Sequence, residues 1–429
     1  MKHSLHHNSR FVPILLGVLI ILQLVQPYRG WMIMLFGLGG AWLFSYFWAR
    51  SLLNHLIFTR EMRFGWAQVG DQLEERFTIE NTGWAPALWV EIIDHSTLPD
   101  HQINWATGVE ARSITQWHTQ STCSQRGVFT LGPTSLKSSD PFGFFTVFIH
   151  DPSSRSVMVM PPIIPLPRIE VAPGGFSGEG VPRPNAFERT VSSGSVREYF
   201  PGDSLRWLHW KTTARHNHPF VRIFDGTPAG DWHIFLDLDQ NIQFGTGSDS
   251  TVEHGVILAA SLATRGLNSK RAVGLTVSGK ETVWIHPGEG ENQRWDILQA
   301  LAVVEAGMRP IGEFLRRMDH EIRSQTSMIL ITTSLYSDWI EALLPLMWRG
   351  VTPTVLLLDP VSFGGPSSSN SMQTTLTKLG IAHYIITQEL LNRPEAHPGQ
   401  EGHWEWRVTP SGRAVLKRKP GDLSWKTLT

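Results

Sequence analysis

The chain has 429 residues, a formal net charge of -1, a pI of about 7.0 and one cysteine. That balance gives no electrostatic reason to expect nucleic acid, and a lone Cys123 excludes an intramolecular disulfide framework and agrees with a reducing compartment. Eighteen tryptophans in a chain only 17% charged call for broad apolar surfaces in core, membrane or partner, and the length allows two soluble domains beside a membrane segment.

The chain opens on a polar, histidine-bearing stretch (His3, His6, His7), which reads as a flexible cytoplasmic end rather than a metal cluster. Two apolar runs follow, Phe11–Gln26 and Trp31–Ala49, with only Pro27-Tyr28-Arg29-Gly30 between them. A helix rises about 1.5 Å per residue and a bilayer span takes roughly 17–25 apolar residues. The second run meets that length, and the first approaches it by extending to Tyr28. Residues 1–50 therefore predict a transmembrane helical hairpin, with Trp31, Trp42, Tyr46 and Trp48 as interfacial aromatics. Lys2 and Arg10 before it, and Arg50, Arg60 and Arg63 after it, place both termini in the cytoplasm and the protein in the plasma (inner) membrane with two spans. A cleaved signal peptide and the core helical hairpin of a soluble protein are the competing readings; no small-residue cleavage site follows the first run.

Residues 60–165 alternate in short β-type runs, such as Glu75–Glu80 and Leu88–Ile93, broken by Asn81-Thr82-Gly83 and similar turns. Regular short strands with this punctuation predict a small all-β, sandwich-like domain. A Pro/Gly-rich linker or extended wrap, Pro161–Pro184, leads into the linker and signature segment 166–229 and its charged block. There Pro201-Gly202 makes a turn, and Asp203 or Ser204 caps a helix bearing Leu205, Leu208 and Thr212 on one stripe. Arg206 and Trp210, four apart, are spaced to stack, and Phe220–Phe224 reads as a strand. Either an internal ion-pair network or a partner-docking surface accounts for the block. Asp203 and His209 have no nucleophile spaced beside them for catalysis.

From residue 230 to 410, strands alternate with helices. Strand candidates are Trp232–Leu238, Ala272–Val277, Thr282–Ile285, Met328–Thr332, Thr354–Leu358 and His383–Ile386. A capping box, Ser250 with Glu253, opens one helix. Asn292–Ala306, Ile311–Arg323, Asp338–Trp348 and Met372–Leu379 supply the others. The alternation predicts an open α/β domain whose ligands favour the carboxyl ends of the strands. Residues 411–429, with Arg413, Lys417, Arg418 and Lys419, read as a solvated basic tail.

The string Arg197-Glu198-Tyr199-x-Pro201-Gly202-Asp203-x-x-Arg206-x-x-x-Trp210-Lys211-x-x-Ala214-Arg215, with Val221-Arg222 after it, closely resembles the signature of the domain of unknown function 58 family. Arg126-Gly127-Val128-Phe129-x-Leu131-Gly132-Pro133 and Asp140-Pro141-Phe142-Gly143-Phe144-Phe145 resemble that family's arginine-glycine and Asp-Pro-Phe-Gly motifs. Thr213 stands where such proteins usually carry serine. The resemblance covers nearly the whole chain and implies a membrane-anchored bacterial or archaeal protein with a von Willebrand factor A-like domain. It also implies a MoxR-type AAA+ ATPase as partner and, in some members, a transglutaminase-like membrane protein.

In the A-like fold the first strand ends in hydroxyl-rich metal ligands. Here Asp237-Leu238-Asp239-Gln240-Asn241 presents oxygen donors at Asp237, Asp239 and Asn241 that suit Mg2+, the one cofactor the pattern admits. Asp239 and Asn241 replace expected hydroxyls, and Thr333 and Ser334 replace an expected acid, so this adhesion-type site reads as degenerate. No Walker loop, His-Glu-x-x-His or paired Cys-x-x-Cys is present. The expected function is a membrane-tethered, non-enzymatic scaffold working with the ATPase. The alternatives are a metal-dependent ligand-binding or adhesion protein and an envelope-linked hydrolase.

Overall fold

The computed structural model describes residues 2–8, 10–63, 65–101, 103, 105–166, 169–172, 193–199, 208–216, 218–224, 231–317, 322, 326–390, 405–408, 414–418 and 426–427. The chain divides into two compact units, Met1–Met160 with Pro398–Thr429, and Pro161–His397.

In the first unit, β1 (Lys2–His7) leads into α1 (Phe11–Val25) and α2 (Arg29–His55). Ten strands then follow: β2 (Leu56–Met62), β3 (Trp66–Gln68), β4 (Gln72–Asn81), β5 (Ala87–Asp94), β6 (Trp105–Val109), β7 (Ser113–Thr122), β8 (Gly127–Leu131), β9 (Thr134–Ser139), β10 (Phe145–Asp151) and β11 (Arg155–Met160). The helix α2 is long and apolar enough to cross a membrane; α1 is a shorter apolar helix. It ends at Val25, short of Tyr28, because the chain leaves helical geometry at Gln26.

One sheet runs β1-β10-β9-β5-β6 and a second pairs β2 with β4 and β4 with β7. Their inward faces share a core that includes Phe58, Phe77, Ile79, Val90, Ile92, Leu136 and Val147, so the predicted sandwich forms. Side chains alternate across a strand, so β4 turns Leu73, Glu75, Phe77 and Ile79 inward while β2 turns in Leu56, Phe58, Arg60 and Met62. Two charged residues are thereby carried into the interior. Ala49 and Leu52 of α2 are buried in the same core, so the last turns of this helix belong to the β unit.

Two expectations are corrected. The histidine-bearing N-terminus is a strand, its Lys2–His7 register matching His150–Phe145 of β10, with His7 packed on Trp42 and Phe145. The basic tail contributes strands as well: β21 (Ala414–Arg418) pairs with β20 (Glu405–Val408) just ahead of it, and β22 (Lys426–Thr427) pairs with β2. Backbone pairing, which a charge count does not register, accounts for both.

In the second unit the described residues of the Pro/Gly-rich stretch, 161–166 and 169–172, form neither helix nor strand. The Ile164 N–H donates to Ser261 Oγ and the Glu170 N–H to Tyr384 Oη. β12 (Ser193–Glu198) then pairs antiparallel with β13 (Phe220–Phe224), flanking α3 (Trp210–His216). The main sheet comprises β14 (Trp232–Asp237), β15 (Val273–Ser278), β16 (Thr282–Gly288), β17 (Ser327–Thr332), β18 (Thr352–Leu358) and β19 (Ala382–Ile386). Its order is β16-β15-β14-β17-β18-β19, parallel throughout except for β16. The helices are α4 (Thr251–Asn268), α5 (Gly290–Val303), α6 (Ile311–Arg317), α7 (Asp338–Trp348) and α8 (Asn370–Lys378). The predicted cap holds, with Ser250 Oγ accepting the Glu253 N–H at 3.2 Å. Every residue of β14, β15 and β17 is buried, as a sheet covered on both faces requires.

Candidate functional site

Successive strands depart to opposite sides of β14: β15 lies on one flank and β17 on the other. A crevice opens at the carboxyl ends of strands at such a switch point. Asp237 is the last residue of β14, and Thr332 is the last of β17. The two meet there, with the Thr332 hydroxyl donating to Asp237 Oδ2 at 2.7 Å.

The loop after β14 is held from below. Leu238 O accepts the Gly307 N–H at 2.9 Å, and Gly307 O accepts the Gln240 N–H at 2.6 Å. A Cβ at 307 would overlap the Gly279 carbonyl carbon, so only glycine permits this approach. Above, Asp237 Oδ1 accepts the Asp239 N–H at 3.2 Å. Asp239 Oδ1 accepts both the Asn241 backbone N–H (3.1 Å) and its side-chain amide (2.9 Å). The Ser334 N–H donates to Thr332 Oγ1. Asp237, Asp239 and Asn241, together with Ser334, Tyr336 and Asp338, line a cleft of about 450 Å³.

Electrostatically the cleft is one-sided. Its lining carries the three carboxyls of Asp237, Asp239 and Asp338 and, among the described residues, no lysine, arginine or histidine. Burial pushes the Asp237 carboxyl up to about 7, and the negative charges of Asp239 and Asp338 add to it. Hydrogen bonds from Thr332 and the Asp239 amide oppose the rise without cancelling it. At the rim, Tyr336 is 70% exposed, and Met308, beside a neighbouring hollow at Lys280 and Arg309, is 79% exposed.

Asp237, Asp239 and Asn241, predicted from sequence, do converge on one cleft. They do not form a ready coordination shell: Asn241 turns its amide nitrogen toward Asp239, and no three His, Cys, Asp or Glu among the described residues are grouped around one ion position. Sequence reasoning took Thr333 and Ser334 as the second loop's contribution and missed Thr332 and Asp338. The hydroxyl closing an otherwise apolar strand, and the acid opening α7, were the available signals.

The signature block separates into parts. Pro201, Gly202, Asp203 and Arg206 lie outside the described residues, as does the stacking of Arg206 on Trp210. Leu208 is not helical; it bridges to Val221, and the helix begins only at Trp210. His209 sits at its start, with Nδ1 2.7 Å from Thr212 Oγ1. The Tyr199 N–H donates to Pro219 O, tying the two sides of the hairpin together. Trp210, Lys211, Ala214 and Arg215 are all exposed on α3, which buries none of its residues. Arg197 and Arg222 pair through Val221 and Val196 in the β12–β13 ladder.

Residues 195–363 match the family model described as "Protein of unknown function DUF58". The signature from Arg197 to Arg222 lies within that match, which takes in less than half of the chain. Two curated relatives are the uncharacterized protein YeaD of Bacillus subtilis, 28% identical over 149 residues, and the uncharacterized protein Rv1480 of Mycobacterium tuberculosis, 25% identical over 175 residues. The matches take in 34% and 39% of this chain but only 35% and 55% of those relatives. Among solved structures, a von Willebrand factor type A domain from Catenulispora acidiphila is 13% identical with 40% of each chain covered and a TM-score of 0.26. The mussel byssus proximal thread matrix protein 1 is 15% identical, with 35% of this chain and 47% of that one covered and a TM-score of 0.25. At such scores neither likeness carries an argument.

Proposed function

We propose that the protein is a membrane-anchored, non-enzymatic adaptor. In this reading α1 and α2 hold it in the plasma (inner) membrane as two spans, with both termini cytoplasmic. The second unit is a von Willebrand factor A-like module that docks a MoxR-type AAA+ ATPase during maturation of a protein or complex. A transglutaminase-like membrane protein is a second partner consistent with the family resemblance.

One observation carries the docking reading: the Asp237 cleft sits at the sheet's switch point, acidic and uncompensated, with the exposed Tyr336 at its rim. A cleft with charge of one sign and an exposed aromatic beside it is the pattern of a surface that takes a partner. Topology supports the anchoring. The strand before α1 and the strand after α2 belong to the same β unit, so both ends of the helix pair return to one side. Of the flanking arginines, Arg60 is buried inside that unit, which leaves Arg10, Arg50 and Arg63 to set the orientation.

The test is affinity recovery of the full-length protein from gently solubilised membranes, with and without ATP, read by mass spectrometry. Nucleotide-dependent recovery of an AAA+ ATPase, lost in Tyr336→Ala, is expected. Recovery of no ATPase in either condition would overturn the adaptor reading.

A second reading, metal-dependent ligand binding, is favoured by the buried Asp237 carboxyl, whose cleft lining holds no cationic side chain among the described residues. Asp237, Asp239 and Asn241 would contribute oxygen donors to a Mg2+ ion otherwise held by water. Calorimetry of the full-length protein should then show magnesium heat that disappears in Asp239→Ala; no heat at millimolar magnesium would end this reading.

A further inference from the structure

The Asp140-Pro141-Phe142-Gly143 motif has a plain local explanation and an unexplained exposure. Asp140 Oδ2 accepts the Phe142 N–H at 2.9 Å and Oδ1 accepts the Phe145 N–H at 2.6 Å, closing the turn between β9 and β10. Gly143 provides the left-handed residue, φ +72°, that the turn needs. None of this requires Phe142 to be aromatic, yet its ring stands 56% exposed and stacks with Phe144.

The position of this turn is specific. The Asn8 N–H donates to Phe144 O at 2.9 Å, and the Asn8 amide donates to Gly143 O at 2.9 Å. Asn8 stands just ahead of α1, so the turn flanks the root of that helix. A second turn flanks the root of α2. The Thr82 N–H donates to His55 O, and Trp84, 51% exposed, packs its ring 5.6 Å from Trp48 and 6.2 Å from Phe44.

Helix lengths connect the two turns. Leu16 lies against Gly39, so in this antiparallel pair Phe11 stands level with Phe44. From the tip to that level α1 contributes 15 residues, about 22 Å, against a hydrocarbon core of about 30 Å. A pair this short draws its own root toward the lipid. The root is apolar on its outside: Leu43, Phe44 and Phe47 are exposed although the opposite side of α2 is already packed on the β unit.

We propose that the turns carrying Phe142 and Trp84 form an aromatic collar that seats the β unit on the lipid–water interface. The occupant is the bilayer surface itself, contacted by Phe142, Trp84, Phe44 and Phe47, with Arg10 and Arg50 near the headgroups. Ring side chains with one wet edge settle at that depth. The inference rests on the membrane reading above and assigns a role to the Asp-Pro-Phe-Gly motif beyond closing a turn.

The test uses the full-length protein in vesicles of phosphatidylcholine with a minority of phosphatidylglycerol. A single fluorophore is attached at Phe142→Cys, Trp84→Cys, Ile20→Cys or Gln120→Cys. The native Cys123 can stay, since burial pushes its thiol up to about 11 and keeps it unreactive. Gln120 is exposed in β7, seven residues along the strand from Ser113 at the end near the helices, and serves as the distant control.

Lipids quenching at shallow depth should remove about half the emission at 142 and 84 and leave 120 unchanged, while deep quenchers should act at 20. Quenching at 20 with 142 and 84 no different from 120 overturns the collar and leaves the membrane anchor standing. Quenching at only one of the two turns overturns the paired collar. No quenching at 20 overturns the anchor, and the collar with it.

Discussion

Each unit buries carboxylates, and the two treat them in opposite ways. In the β unit Arg60 lies at the centre, with Nε and Nη2 donating to the two oxygens of Glu75 at 2.7 and 3.1 Å and Nη1 donating to Asp94 at 2.7 Å. His101 completes the group, with Nε2 3.0 Å from Glu75 and Nδ1 2.7 Å from Ser121. With His101 protonated, two positive charges face two negative ones. In the α/β unit Asp237 is buried as deeply but meets hydroxyls, amides and further carboxyls. Desolvation costs both sites dearly, and only the first is internally offset. A satisfied buried network is read as structure; an unsatisfied one at the carboxyl edge of a sheet is read as a place where something else arrives.

The sharpest way to break this comparison is to remove the cation from the compensated site. Arg60→Leu leaves Glu75 and Asp94 buried without it, and stability should fall by about 3–5 kcal/mol. Urea denaturation of the full-length protein in detergent checks this. Adding Glu75→Leu should return part of the loss, because paired removal spares the stranded charge. A near-neutral Arg60→Leu would mean that water reaches the site and that the contrast between the units is false.

Asp237→Asn probes the other side and carries the opposite sign. Its folded pKa of about 7 lies above the ordinary 3.8, so the native state holds a proton that the unfolded chain releases between those values. Stability therefore declines as pH rises from about 4 to about 7 and stays reduced above. The asparagine variant escapes that loss. It should be the more stable protein at pH 8, by on the order of 4 kcal/mol, with the gap closing toward pH 4. Thermal melts across pH test it, and a variant less stable at pH 8 would move Asp237 into the structural class.

The contrast also explains what could be read from the sequence. Apolar runs such as Trp232–Leu238 and Thr354–Leu358 announce buried strands locally, and Asp338–Trp348 is a helix at those bounds. Asp237 was legible because it ends such a run. Its partner Thr332 lies 95 residues away, and nothing in the spacing links them. Arg60 is harder still: it resembles a flanking surface charge, and only strand alternation together with partners 15 to 74 residues distant turns it inward. The N-terminal strand was hidden for a related reason. Lys2–His7 is polar, and its pairing partner β10 arrives more than 130 residues later.

A finer test stays within the compensated site and asks whether its histidine is a working charge. Burial lowers the His101 pKa, but hydrogen bonds to Asp94 and Glu75 prevail and leave it above the ordinary value. Asp94 moves the other way: burial raises it, while His101, Arg60 and Ser96 together hold it well below the usual carboxylate range. The His101 contribution is therefore complete below pH 6.5 and fades as pH climbs through the raised folded value. That of Asp94 is complete above its ordinary 3.8 and fades only as pH falls toward its depressed folded value. His101→Gln should cost about 1–2 kcal/mol at pH 6 and progressively less in alkali, with the acid limb due to Asp94 still visible. A loss independent of pH would show that the imidazole acts by shape alone, and the balance of two charges against two would fall to one against two.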